Sequence, residues 1–192
     1  MSKQILLTRP KNKDVRPREY LTESEVTKLI KAARLSDSYS LRDSTMILVA
    51  YTHGLRISEL LNLKWSQINF EEGAITINRL KRGRQSIHPL TAIEIRALNR
   101  IKKKNKTSYV FITLYNAPMS PSTFQKIILR AGQKADLGFP VHPHMLRHAT
   151  GYKLVNDGQD IRKIQHYLGH QNIQHTVRYT ELDSQQFNGF WD

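Results

Sequence analysis

Between Ala74 and Leu90 the hydrophobic period of this chain is two, and on either side of that stretch it is helical. Ile75 and Ile77 alternate with polar residues, Arg82-Gly83-Arg84 supplies a turn, and Gln85 to Leu90 returns. This predicts a β-hairpin with Lys81 at its tip. Successive strand residues face opposite sides, so the segment cannot be absorbed into a helical bundle and must lie against one. The expected fold class is mainly α with a small antiparallel β-sheet, an α+β arrangement.

The helical parts carry their own punctuation. Thr22 and Glu25 form a capping box, Leu21 and Val26 can staple the entry, and Leu29, Ile30 and Ala33 continue at helical spacing. Residues 42–53 read as an apolar helix stopped by Gly54. A second short helix follows from Ser58, which places Arg56 in the turn at a helix N-terminus, where amide groups also favour anions. Thr91 and Glu94 open a further helix through Ile95, Leu98 and Ile101, which ends in the charge run at 102–106. Residues 109–114 are expected as a short buried strand, 116–121 as a turn, 122–131 as a helix and 132–143 as a loop. Two helices near 145–156 and 160–168 are punctuated by Gly158 and Gly169, with Asp160 as a cap, and Asn172 is placed to cap a final short helix carrying Tyr179.

The chain has 192 residues, enough for one good-sized core, and thirty Lys and Arg against sixteen Asp and Glu give a net charge of +14. Such an excess favours polyanions through phosphate contacts and counterion release. No apolar run approaches the roughly 20 residues that span a bilayer, and the basic first 20 residues lack a signal-like apolar stretch. The expectation is a soluble, cytoplasmic protein with no membrane span, and the polyanionic partner is open among DNA, RNA and an anionic membrane surface. With no cysteine, disulfides and thiolate metal sites are excluded. Residues 1–19 read as a basic arm, either disordered or in contact with nucleic acid.

The C-terminal quarter concentrates chemistry. HPHMLRH at 142–148, LGH at 168–170 and Tyr179 nine residues later bring imidazole, guanidinium and phenol groups close in sequence. Arginine binds phosphate oxygens through a charged planar fork, which makes Arg56 and Arg147 the candidates for holding a phosphodiester. Histidine suits proton transfer near neutral pH, which selects His144 and His170, with His148 in a supporting or packing role. A phenol attacks only with cationic help, and these groups can supply it to Tyr179. His144 and His148 have the i, i+4 spacing of a metal pair, but Met145 stands where the H-E-x-x-H motif has glutamate, so no metal is expected.

The ordered set, carried by THGLRISELLNL at 52–63, RLKRGRQSIHPL at 79–90, HPHMLRH and LGHQNIQHTVRYT at 168–180, resembles the tyrosine recombinase (phage integrase-type) family. The likeness extends to the short members that invert the promoter element controlling bacterial fimbriae, down to the ending Phe190-Trp191-Asp192. The resemblance implies the family's catalytic-domain fold over 20–179, preceded by the arm at 1–19 and followed by a tail at 180–192. That tail either docks on a neighbouring subunit or folds back. Larger members carry a separate N-terminal DNA clasp, for which this chain is expected to have no room.

By the same resemblance, Tyr179 attacks the scissile phosphate to form a 3′-phosphotyrosyl link. Arg56 and Arg147 clamp the non-bridging oxygens, Lys81 protonates the leaving 5′-oxygen, His144 assists the phenol and His170 donates to the phosphate. Glu59 supports the site, and Arg82 and Arg84 beside Lys81 are candidate DNA contacts. The implied activity is site-specific recombination without a cofactor, by a homotetramer on double-stranded DNA with inverted repeats, with DNA-bending proteins as candidate accessories. A type IB topoisomerase-like relaxing enzyme and a catalytically silent DNA-binding regulator remain as alternatives.

Overall fold

The computed structural model describes residues 18–35, 39–79 and 85–180. The arm at 1–17, the hairpin tip at 80–84 with Lys81, Arg82 and Arg84, and the tail at 181–192 lie outside the described residues.

Helix α1 (Glu23–Arg34) starts on the expected capping box, the Glu25 amide donating to the Thr22 hydroxyl at 3.3 Å and the Thr22 amide to the Glu25 carboxylate at 2.8 Å. Helix α2 (Ser40–Thr52) is buried on most sides, through Met46, Ile47, Val49 and Ala50. Its buried hydroxyls are satisfied one turn back, Ser44 donating to the Ser40 carbonyl and Thr45 to that of Leu41. Around it pack α1, α4 (Ala92–Lys102) and α6 (Pro143–Asn156), while α5 (Pro121–Lys134) closes on α1. Each large aliphatic side chain sealed in this core contributes about 1.5–3 kcal/mol relative to exposure.

Short helix α3 (Ile57–Leu61) and a 3₁₀ turn (Trp65–Gln67) lead into a three-stranded antiparallel sheet of β1 (Ile68–Asn69), β2 (Ala74–Ile77) and β3 (Ser86–Pro89), in that order. Ile75 faces His88 and Ile77 faces Ser86 across the hairpin, so the inward face holds Ile75, Ile77 and His88. Ile87 is consequently turned outward and is 74 % exposed. The first strand is too short, at two residues, to leave a period in the sequence.

Three expectations are corrected. Residues 109–114 form no continuous strand: Tyr109 makes one bridge to Lys64, Ile112 makes one to Pro118, and the Asn105 amide ties down the Tyr109 and Val110 carbonyls instead. Val110 and Phe111 are still fully buried, which is what their apolar run recorded. Helix α5 starts at Pro121, capped by Ser120, and runs past Gly132, whose lack of a side chain admits Val141 where a Cβ would sit 2.7 Å from Val141 Cγ2. The final helix α8 (Gln174–Val177) stops before Tyr179, which lies in the turn just after it. Helix α7 (Ile161–Leu168) is capped by Asp160, as expected.

Candidate active site

Gly54 ends α2 in the left-handed region at φ +55°, and any Cβ there would strike Leu168. The reversal delivers Arg56 as N-cap of α3, and Glu59, one turn on, folds back to accept from the Arg56 amide at 2.9 Å and from its guanidinium at 2.8 Å. Oε2, the Glu59 oxygen that takes the amide, also accepts from Arg79 at 2.8 Å. Burial opposes the charge on Glu59, but Arg79 first, then the Arg56 amide and guanidinium, hold its carboxyl below the ordinary range.

At the other side of the site α7 stops because Gly169 turns left-handed (φ 66°, ψ 44°). The last carbonyls of a helix lack helical partners and carry the negative end of its dipole. Here three consecutive ones each take a different arginine: Tyr167 from Arg79, Leu168 from Arg147 at 2.6 Å, and Gly169 from Arg56 at 3.3 Å. Arg147 also donates to the Gly54 carbonyl. A Cβ at Gly169 would lie 2.8 Å from Arg79 Cδ, so glycine is required for its backbone and for the room it leaves. Arg147 is 2 % exposed, and burial, followed by the like charges of Arg56 and Arg79, lowers its pKa to about 10, still protonated at neutral pH. The Arg56 side chain is 36 % exposed and presents the accessible edge of the cluster.

The tyrosine half is aromatic. Tyr179 is 1 % exposed, with its ring on Gly151, where any Cβ would overlap it, and edge-on to Tyr152 at 5.0 Å. Its hydroxyl lies 3.1 Å from His148 Nδ1. Burial raises the phenol pKa, against the opposing pull of Arg147 and Arg178. For His148, burial, then His144, Arg178 and Arg147, lower the pKa to about 3, so the ring is neutral and can accept the phenol proton in a hydrogen bond. His170 is lowered to about 3 by burial, then by Arg147 and Arg56, and its Nδ1 is 2.9 Å from the Thr176 hydroxyl. With Thr176 as donor, the His170 proton resides on Nε2, free to face an anion. His144 stands at the exposed rim, its ring 4.5 Å from that of His148, and its pKa is lowered by partial desolvation and then by Arg147.

Thus Arg56, Glu59, Arg147, His148, His170 and Tyr179 converge, and His148 rather than His144 meets the phenol. Lys81, Arg82 and Arg84 lie outside the described residues. Arg79 and Thr176 belong to the same site and carry no signal of their own class. For Arg79 the period of the hairpin does give one, because 75, 77 and 79 share the inward face. Among the described residues no group of three or more His, Asp or Glu is arranged to hold a metal ion, and no helix is long and apolar enough to cross a membrane.

Three guanidiniums gathered on one helix end, adjoining a phenol and two neutral imidazoles, form an arrangement that can stabilise a phosphoryl centre under attack. The chain belongs to the phage integrase family, the tyrosine recombinases, whose family model matches residues 19–186. It is accordingly a tyrosine-type site-specific DNA recombinase. It is 42% identical over 182 residues to the type 1 fimbriae regulatory protein FimE of Escherichia coli (strain K12), covering 91% of each chain. With FimB of the same strain the identity is 41% over 190 residues, covering 95% of this chain and 94% of that one. The fold matches the crystal structure of XerA recombinase with a TM-score of 0.76 and 30% identity, over 88% of this chain and 63% of XerA. The XerH recombinase bound to its difH substrate, at 22% identity and a TM-score of 0.75, shares the fold.

Proposed function

We propose that the protein inverts a DNA element between short inverted repeats, through a 3′-phosphotyrosyl intermediate on Tyr179, and thereby switches a fimbrial promoter. The observation that carries the chemical part is the gathering of three arginines on one helix end beside a tyrosine hydrogen-bonded to a neutral histidine. The fimbrial part is supported by the similarity to FimE and FimB over nearly the full length of each chain.

The Tyr179 oxygen forms a bond to phosphorus as the bond to the 5′-oxygen breaks. His148 holds the phenol until the turn that carries it leaves its pocket, His144 at the rim then assists transfer of the phenol proton toward solvent, and Lys81 supplies a proton to the departing 5′-oxygen. Arg56 holds a non-bridging oxygen directly, Arg147 adds its field from beneath, and His170 Nε2 donates to the phosphate. Attack by a 5′-hydroxyl of another strand reverses these transfers, so the energy of the broken bond is retained. No cofactor takes part in this scheme. A phenol with 1 % exposure does not meet a duplex, so DNA binding must draw the 178–180 turn out of its pocket.

In this reading residues 20–179 are the catalytic unit, with the arm at 1–19 and Arg82 and Arg84 contacting DNA. The tail at 180–192 docks on a neighbouring subunit in a homotetramer assembled on two duplexes, and DNA-bending proteins serve as accessories. The test is covalent capture from genomic DNA, followed by a nicked duplex built on the captured sequence. Wild type is expected to be trapped as an adduct and Tyr179→Phe not at all; an adduct that survives that substitution overturns the assignment. Product topology separates inversion from mere relaxation.

A further inference from the structure

Arg79 is buried at the exit of β2, two residues before Lys81, in the middle of the site yet with no face toward solvent. Its guanidinium is divided between two elements. One nitrogen donates to Glu59 Oε2 at 2.8 Å, the other to the Tyr167 carbonyl at the end of α7. The same Glu59 carboxylate holds both the amide and the guanidinium of Arg56. The Tyr167 ring, in turn, stacks on His88 of β3 at 3.9 Å, and its hydroxyl donates to the Thr52 carbonyl at 2.7 Å. Both strands of the hairpin are therefore fastened to α7, β2 through Arg79 and β3 through His88.

Stability is a poor account of this placement. The Arg79 Nε is buried without a partner among the described residues, and burial first, then the like charge of Arg56, oppose the charge of its guanidinium. Apolar side chains on the same inward face, continuing Ile75 and Ile77, would fill the space at less cost.

We propose that Arg79 is a positioning residue for the recombination reaction, holding Glu59 and hence Arg56 in register with α7. The inference rests on the function proposed above. Arg79 acts through other groups and does not touch the phosphate, so its loss slows the chemical step without weakening the grip on DNA. Lysine at this position keeps the charge but, as a point donor, does not span both acceptors.

The test measures single-turnover adduct formation on the nicked duplex and affinity for its unnicked copy, for Arg79→Lys and for the pair Arg79→Met with Glu59→Gln. The pair removes together the two charges whose side chains are each 1 % exposed, and leaves the Arg56 guanidinium, 36 % exposed, to solvent in place of a buried counter-charge. Both proteins are expected to unfold cooperatively, to bind DNA within about threefold of wild type, and to form adduct about 10- to 100-fold more slowly, the effect of a reacting group held about 1 Å off. Wild-type rates in Arg79→Lys or in the pair overturn the proposal, as does an equal loss of binding and rate. Absence of a wild-type adduct, or an adduct with Tyr179→Phe, overturns the function itself and this inference with it.

Discussion

The two halves of the site are made of opposite materials. Around Glu59 the fastening is ionic and backbone-directed, with guanidiniums tied to a carboxylate and to the end of a helix. Around Tyr179 it is aromatic and neutral, with one hydroxyl-imidazole contact in an otherwise apolar pocket. The first half is ready for an anion in the free protein. The second is stored away from it. In the proposed mechanism preorganisation is thus confined to the part that binds a charge, while the tyrosine assigned as nucleophile is held by contacts that can be given up without separating ions.

Glu59→Ala strikes the ionic half hardest. It leaves Arg56 and Arg79 without their counter-charge, and unfolding in denaturant is expected to show a loss of about 3–5 kcal/mol. A loss below 1 kcal/mol would mean that the arginines are held by the carbonyls alone. Arg147→Ala should reduce adduct formation about 10²- to 10³-fold while appreciable DNA binding survives. If binding and cleavage fall together, Arg147 is an ordinary phosphate contact. Gly151→Ala strikes the other half, because the new methyl occupies the place of the Tyr179 ring. A cost of about 1–3 kcal/mol is expected from overpacking, with DNA affinity preserved.

Acid should separate the halves with the smallest perturbation. His148 and His170 have folded pKa values of about 3, below an unfolded value near 6.5. Their neutral forms are favoured by folding, so the stability they confer is complete above about pH 6.5 and declines as pH falls from there toward 3. Glu59 is also depressed, but from an unfolded value near 4.3, so its contribution begins to fail only around that pH. Stability measured against pH, with Tyr179 fluorescence or exchange of its neighbours as a local probe, should show the tyrosine pocket loosening first. Simultaneous loss of both halves at one pH would contradict the distinction.

Much of the frame was legible in sequence because it is local. Thr22–Glu25 and Thr91–Glu94 announce their helices three residues apart, and Ile75 and Ile77 declare a strand by a period of two. The Arg, His-x-x-Arg, His and Tyr series was legible through the family's spacing. What escaped depends on groups that have no sequence signature. Any residue has a carbonyl, so nothing in Tyr167, Leu168 or Gly169 says that three arginines will meet there. The burial of Tyr179 depends on a glycine of α6, 28 positions upstream in the numbering, and the interruption of 109–114 depends on one asparagine amide. Arg79 was hidden for a simpler reason: a cation seldom continues an inward apolar face.

The three arginines reach the end of α7 across very different lengths of chain, 113 residues for Arg56, 88 for Arg79 and 21 for Arg147. During synthesis, which runs from the N-terminus, the first two leave the ribosome long before the helix that gathers them. Closing such loops is entropically slow and comes late in folding. A nascent or half-folded molecule therefore has scattered positive charges, and the arginine cluster is assembled only when the whole domain is complete.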